Sequence, residues 1–285
     1  MCRMLAIHAR GEGLETARQL VLLLAEAASF DPYLEKIAGD PRHCHGYGYT
    51  LATPASRGWR IVHERFDAHP PLGLEEACKA NLEELRKAAG KIAEMLKGVD
   101  EAMLVFHARR AGRSEPRGHT AAHPFREETI LETPGGTTLA EVYLAHNGGV
   151  HKEPLAENLG LAGKTSLYTD SHLILKTIAS RLNHARLEEV GDKLRDAIGE
   201  VKPHTKSALD LLILIAPPGY KPQLYAYGHI ADRTPERQIY YQPIIVEGPG
   251  YKAYVSSTIK DLMEEHGIKP EKIEIIEDRL VKLST

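Results

Sequence analysis

Cysteine is scarce in this sequence: Cys2, Cys44 and Cys78 are the only three in 285 residues. The number is odd and the spacings fit no paired framework, so a disulfide-stapled fold is not expected and a reducing, cytoplasmic compartment is. An excess of charge is missing as well, with 36 Lys+Arg against 39 Asp+Glu. No basic face of the kind selected by phosphate backbones or anionic lipid is expected, which sets nucleic acid and membrane surfaces aside as partners. Long apolar runs are also lacking. The longest near the start, LVLLLAEAA, is too short to span a bilayer and has no basic leader or cleavage site, so it reads as a core helix. Low-complexity tracts, internal repeats and linkers are absent, and a hydrophobic content of 42% suffices for a substantial core. The expectation is one domain over residues 1–285 with no fused second domain.

What is present is periodic. Residues 3–8 read as a buried strand, 14–28 as a helix, and HGYGYTLAT with GWRIVHE as a strand pair joined by PASRG. Apolar residues at Leu74, Cys78, Leu82, Leu85, Ala89, Ile92 and Leu96 predict a long amphipathic helix over 73–97, with Cys78 on its core stripe. MLVFHA and VYLAHN read as buried strands separated by a polar loop fit to form an active-site rim. Helices are expected after Asp170 and after Leu187. LLILIA, QLYAYG, QIYYQPIIV and YKAYVSS then read as strands, followed by a short helix and a last strand at KIEIIE. Strands, helices, strands, helix: the order predicts an α+β fold in which two antiparallel sheets pack between helical layers.

The chain opens MCRMLAIHAR. Removal of Met1 would leave Cys2 with a thiol and a free α-amine on one residue. The thiol has a reference pKa of about 8.5 and the amine of about 8, so the amine can take the thiol proton at little cost and no separate histidine is required. Further along, FHARRAG places Arg109 and Arg110 beyond a strand end, where a guanidinium can grip a carboxylate with two parallel hydrogen bonds. LAHNGGV offers the Asn147 amide and the Gly148 N–H, donors suited to a developing oxyanion. In YTDSH, Asp170 stands at an N-cap position and could instead face a substrate ammonium. Gly46 and Gly48 in HGYGYT suit close backbone packing beside a site.

Taken together and in this order, Cys2, HGYG, HARRAG, AHNGG and TDS resemble the class II glutamine amidotransferases, whose glutaminase domain belongs to the N-terminal nucleophile hydrolase superfamily. The resemblance implies a four-layer αββα sandwich of two antiparallel sheets between helical layers. It makes Cys2 the nucleophile, Asn147 and Gly148 the oxyanion hole, Arg109 the clamp for a substrate α-carboxylate and Asp170 the partner of its α-ammonium. His107 falls with the substrate-binding residues. The implied reaction is attack on the side-chain amide of glutamine or a γ-glutamyl compound, a γ-glutamyl thioester, release of ammonia and hydrolysis. No cofactor and no metal are implied. Arg110 and His172 depart from the family pattern, and with no chain left for a synthase domain, the ammonia goes to an acceptor subunit in trans or the enzyme is a stand-alone amidohydrolase. Self-association into a homo-oligomer is left open.

Three other readings compete. His43, Cys44 and His45, or His119 and His123, invite a metal site, although alternation along a strand would put His43 and His45 on one face and Cys44 on the other. A non-catalytic glutamine-binding module is the second, and an acyl hydrolase of other specificity in the same superfamily is the third.

Overall fold

Residues 2–9 are buried on both sides of the strand they form, so two layers have to cover it. The computed structural model describes residues 1–112 and 115–284. In chain order its elements are β1 (Cys2–Arg10), α1 (Gly13–Ser29), α2 (Pro32–Ala38), β2 (Tyr47–Ala55), β3 (Gly58–Phe66), α3 (Leu74–Met95), β4 (Glu101–Arg109), β5 (Phe125–Thr133), β6 (Gly136–Val150), α4 (Lys152–Asn158), α5 (Asp170–Leu182), β7 (Ala185–Arg186), α6 (Val190–Val201), β8 (Thr205–Ala216), β9 (Gln223–Tyr227), α7 (Pro235–Tyr240), β10 (Ile244–Gly248), β11 (Tyr251–Val255), α8 (Ser257–Glu265), β12 (Lys272–Ile275) and β13 (Val281–Lys282). The strands form two sheets, in the orders β12-β10-β11-β1-β4-β2-β3 and β13-β9-β8-β6-β5-β7. Their pairings are antiparallel apart from the parallel contact of β5 with the short β7.

Period-two alternation distributes the side chains among three apolar layers. Leu5, Ile7 and Ala9 of β1 face α1, α3 and α8, where Leu20, Leu85 and Ile259 belong to the same core. Cys2, Met4 and Ala6 face the other way, against Tyr143 and Ala145 of β6 and Leu212 and Leu214 of β8. The outer face of the second sheet, with Val142, Leu144, Leu211 and Ile213, packs on α4, α5 and α6. The chain is therefore a mixed α+β fold in which a two-sheet core lies between helices, as the sequence order led one to expect.

The structure corrects the sequence reading at several points. FREETILET forms β5 in place of the expected loop, and its partner β6 runs from Gly136 to Val150, far longer than VYLAHN. QIYYQPIIV does not form one strand: Gln238, Ile239 and Tyr240 close α7, and only Ile244 onward is extended. Pro235 in the first turn fixes a helical start there despite the β-favouring Ile and Tyr residues. Cys44 and Cys78, 34 positions apart in sequence, are joined in a disulfide with Cα atoms 4.7 Å apart. Spacing could not reveal this pair, because the bridge joins the loop before β2 to α3. The bond removes the cysteine-based ground for a reducing compartment. Among the described residues, no helix is long and apolar enough to cross a membrane.

Candidate active site

The antiparallel register of β1 on β4 sets Cys2 opposite Arg109 and Met4 opposite His107. All four side chains point into the space between the sheets, and His107 is the diagonal neighbour of Cys2, within reach of a long or aromatic side chain. Cys2 is the one free cysteine and is buried, only 5% exposed. Burial opposes its ionisation, but the charge of His107 and the N-terminal ammonium of Met1 outweigh it and bring the thiol down to about 6. His107 is fully buried, and neither of its ring nitrogens makes a well-aligned hydrogen bond.

The second sheet reaches the same place through β6. Asn147 accepts a 2.7 Å hydrogen bond from the Cys2 backbone nitrogen at its side-chain Oδ1, which leaves the amide NH2 as a donor. Gly148 follows at φ +142°, next to a bulge in the β6–β8 pairing. A Cβ there would stand 1.8 Å from the Ala208 carbonyl oxygen, so only glycine fits. At the other rim, Gly48 lets β2 pass close to the His123 carbonyl, where a Cβ would stand 2.4 Å away.

Arg109 is 4% exposed and donates from Nη1 to the Pro116 carbonyl at 2.9 Å, while its backbone is bonded to Gly46 and His45 on the opposite side. Burial works against its charge, and Cys2, Glu115, Asp67 and Asp170 work for it, so Arg109 and Asp170 sense each other electrostatically. Asp170 is the first residue of α5. Its carboxylate accepts from the backbone of Val150 at 3.0 Å and of Ser171 at 2.8 Å. The cap of α5 is Thr169, which accepts from the His172 N–H, so the expected N-cap role of Asp170 is corrected by one residue. The structure thus brings Cys2, His107, Arg109, Asn147 and Gly148 to one end of the inter-sheet space, with Asp170 at its edge.

Arg110 turns away from this group. Its Nη1 pairs with Asp40 at 2.9 Å, and it lines a cavity of about 320 Å³ with Arg42, His45, Glu75 and Arg117 on the outer side of the loop. Part of the expected rim, Arg113 and Ser114, lies outside the described residues. His172 leaves the site too, stacking on Phe125 and pairing with Glu127 at 2.9 Å.

The histidine motifs do not gather as metal ligands. The segment carrying His43, Cys44 and His45 is no strand; His43 bonds to Asp31 at 2.6 Å, Cys44 is in the disulfide, and His45 accepts from the Ala111 N–H. His119 is exposed, whereas His123 is buried against His107 with ring centroids 4.4 Å apart. Among the described residues the one group with metal-ligand proximity is His229, Glu277 and Asp278, and its carboxylates are already held by Arg233 and Lys202.

Three groups beside Cys2 have no counterpart in the sequence reading. Tyr240 donates its hydroxyl to the Cys2 carbonyl at 3.1 Å. Arg3, fully buried, lies 4.1 Å over the Tyr240 ring and pairs with Asp31 at 2.6 Å, which in turn holds Thr258 and caps α2. Asp210 faces Asn147 across β6 and β8; it is fully buried, and burial pushes its carboxyl well above the usual range against the pull of Arg3. An aspartate inside the apolar LDLLILIA was a visible signal for it; nothing local marks Tyr240.

No family model matches the sequence, and no curated protein matches it. Among solved structures the chain is similar to a predicted glutamine amidotransferase from Pseudomonas aeruginosa PA01, at 14% identity and a TM-score of 0.36, over 99% of this chain and 90% of that one. The likeness is slight, and the geometry around Cys2 has to speak for itself.

Proposed function

We propose that this chain is a glutaminase-type domain of the class II glutamine amidotransferases, with the αββα fold of the N-terminal nucleophile hydrolases, and that it hydrolyses the side-chain amide of glutamine or a γ-glutamyl compound. The observation that carries the reading is the bond from the Cys2 nitrogen to Asn147 Oδ1. It ties the nucleophile of one sheet to the oxyanion donor of the other. Removal of Met1 turns the Cys2 amide into an amine that can still donate to Asn147, and its lone pair becomes available to the thiol.

In this reading the Cys2 thiolate attacks the amide carbon, and the oxygen of the tetrahedral intermediate accepts from the Asn147 NH2 and the Gly148 N–H. Collapse expels ammonia, protonated through the Cys2 amine, and leaves a γ-glutamyl thioester. Water then attacks the thioester with the same amine as base. Arg109 binds the α-carboxylate, for which its Pro116 contact is exchanged, and Asp170 receives the α-ammonium. The ammonia passes to water or to an acceptor subunit in trans.

The test is release of ammonia and glutamate from glutamine by the Met1-free protein. Turnover that is abolished in Cys2→Ala while calorimetry still detects glutamine binding supports the reading. A Cys2→Ala protein that keeps the wild-type rate overturns it.

A further inference from the structure

Asp210 interrupts the apolar row that β8 sends into the space between the sheets. Leu212 and Leu214 of that row pack in the inter-sheet core, and Asp210, one step along the same face, is fully buried. From β6, Tyr143 and Ala145 lie in the same core, and Asn147 continues their row. The antiparallel register sets Asn147 directly opposite Asp210. Opposed residues share a face with Cβ atoms about 5 Å apart, so amide and carboxyl lie side by side. A leucine would extend the row without burying a carboxyl, and the aspartate therefore calls for a reason beyond packing.

The carboxyl is sealed in. Gly228 closes over it: a Cβ there would stand 3.2 Å from Asp210 Oδ1 and 2.2 Å from Pro243 Cβ. Burial drives the carboxyl well above its usual range, while Arg3, Asn147 and the Tyr254 hydroxyl draw it back. The Arg3 guanidinium is itself committed to Asp31. Neither Asp210 oxygen is held in a well-aligned hydrogen bond, and the neighbouring donors are the Asn147 amide and the Tyr254 hydroxyl.

We propose that Asp210 is a positioning residue for the oxyanion donor: it accepts a hydrogen bond from the Asn147 NH2 and holds the amide with Oδ1 toward Cys2 and its second N–H toward the oxyanion.

The amide has the atoms for all three contacts. Its Oδ1 accepts from the Cys2 nitrogen at 2.7 Å, and of its two N–H groups one serves Asp210 and the other the oxyanion. While Met1 is attached, the Cys2 nitrogen belongs to a peptide bond and only donates, so it fixes the amide by itself. Once Met1 is removed, that nitrogen is an amine that donates or accepts. A flipped Asn147 would then give an N–H to the amine lone pair, occupying the base, and would turn its oxygen toward the oxyanion, where the two repel. An acceptor on the β8 side selects against the flip. Ionised or neutral, a carboxyl keeps an accepting oxygen, and the proton of the neutral form has the Tyr254 hydroxyl as its acceptor, so the role holds in either charge state.

The inference rests on Asn147 as the oxyanion donor of the proposed glutaminase, so one of its two tests needs no turnover. Asn81, Asn147, Asn158 and Asn183 are the asparagines of the chain, and labelling them with the heavy nitrogen isotope gives a sparse proton–nitrogen spectrum of side-chain amides. The Asn147 pair is identified by its loss in Asn147→Ala. In the full-length wild type one proton of that pair should lie downfield and exchange slowly with water. In Asp210→Leu it should move upfield and exchange at least tenfold faster, with the other amides unmoved. An unchanged Asn147 pair in folded Asp210→Leu overturns the proposal. Should that variant not fold, the wild type decides: two Asn147 protons that exchange equally fast overturn it, and one protected proton supports it.

The second test is kinetic. In Met1-free protein, Asp210→Leu should lower kcat for glutamine about tenfold or more with KM kept, and should cost no more than about twofold when added to Asn147→Ala, because the amide it positions is already gone. Losses that multiply in the double variant mark a merely structural role and overturn the proposal. A wild type that releases no ammonia from glutamine refutes the proposed function instead, and the amide spectrum still decides the role of Asp210.

Discussion

The side-chain oxygen of Asn147 accepts a hydrogen bond from the backbone nitrogen of Cys2, joining the first strand of one sheet to the sixth strand of the chain across 145 residues of sequence. The same contact fixes which end of the amide is free. Asn147→Ala should lower kcat for glutamine by roughly 10²–10³, the usual cost of one oxyanion donor, while KM changes little. A drop in kcat/KM carried entirely by KM would assign Asn147 to substrate binding.

Arg109 is buried, and among the described residues its guanidinium has one hydrogen bond, to a backbone carbonyl. It retains donors for a carboxylate. Arg109→Lys keeps the charge but loses the planar fork, so steady-state kinetics should show KM for glutamine raised at least tenfold with kcat retained. An amide substrate that lacks the α-carboxylate should be indifferent to the change.

Asp31 joins Arg3, His43 and Thr258 in a fully buried network one residue from Cys2. Its carboxyl is held well below the usual range: burial opposes this, but Arg3 and His43 prevail. Asp31→Asn leaves Arg3 buried without a counter-charge and should cost about 3–5 kcal/mol in urea unfolding. A loss under 1 kcal/mol would show that water reaches Arg3.

His43 gives stability a sign against pH. Burial lowers its folded value to about 4, against about 6.5 in an unfolded chain. Between those values the unfolded chain binds the extra proton, so stability is whole above pH 6.5 and falls as pH drops from 6.5 toward 4. Unfolding free energies from urea titrations across that window should fall by up to about 1.4 kcal/mol per pH unit from this residue, and His43→Asn should flatten the slope. An unchanged slope would place the acid sensitivity elsewhere.

The Cys44–Cys78 bond predicts a thiol count. Denatured, unreduced protein should titrate with one thiol, Cys2, and reduced protein with three. Cys44→Ser should cost about 2–4 kcal/mol, as expected for a loop of this length. Three thiols without reduction would restore the reducing compartment expected from cysteine scarcity.

Much of the frame was legible in the sequence. Buried strands such as β1 and β8 show as apolar runs, and α1 and α3 show their period because one stripe faces a sheet and the rest faces water. What stayed hidden depends on contacts distant in sequence. β5 alternates charged and apolar residues too irregularly to stand out until β6 is paired beside it. Tyr240 sits in a segment of strand-like composition, and only burial against Arg3 and the Cys2 carbonyl gives it a role. The motif residues were visible singly, whereas the register that makes His107 the diagonal neighbour of Cys2 was not. The disulfide escaped for the same reason, since Cys78 reads equally well as a small core residue on the apolar stripe of α3.

The central claim is that Cys2 is a glutamine-directed nucleophile at a processed chain start. The most direct test is the intact mass of the purified protein after incubation with a diazo-ketone analogue of glutamine, with and without excess glutamine. The account predicts a mass lacking Met1 and carrying one adduct, mapped to Cys2 and prevented by glutamine. A Met1-free chain whose Cys2 stays unmodified, or whose labelling glutamine does not slow, would contradict it.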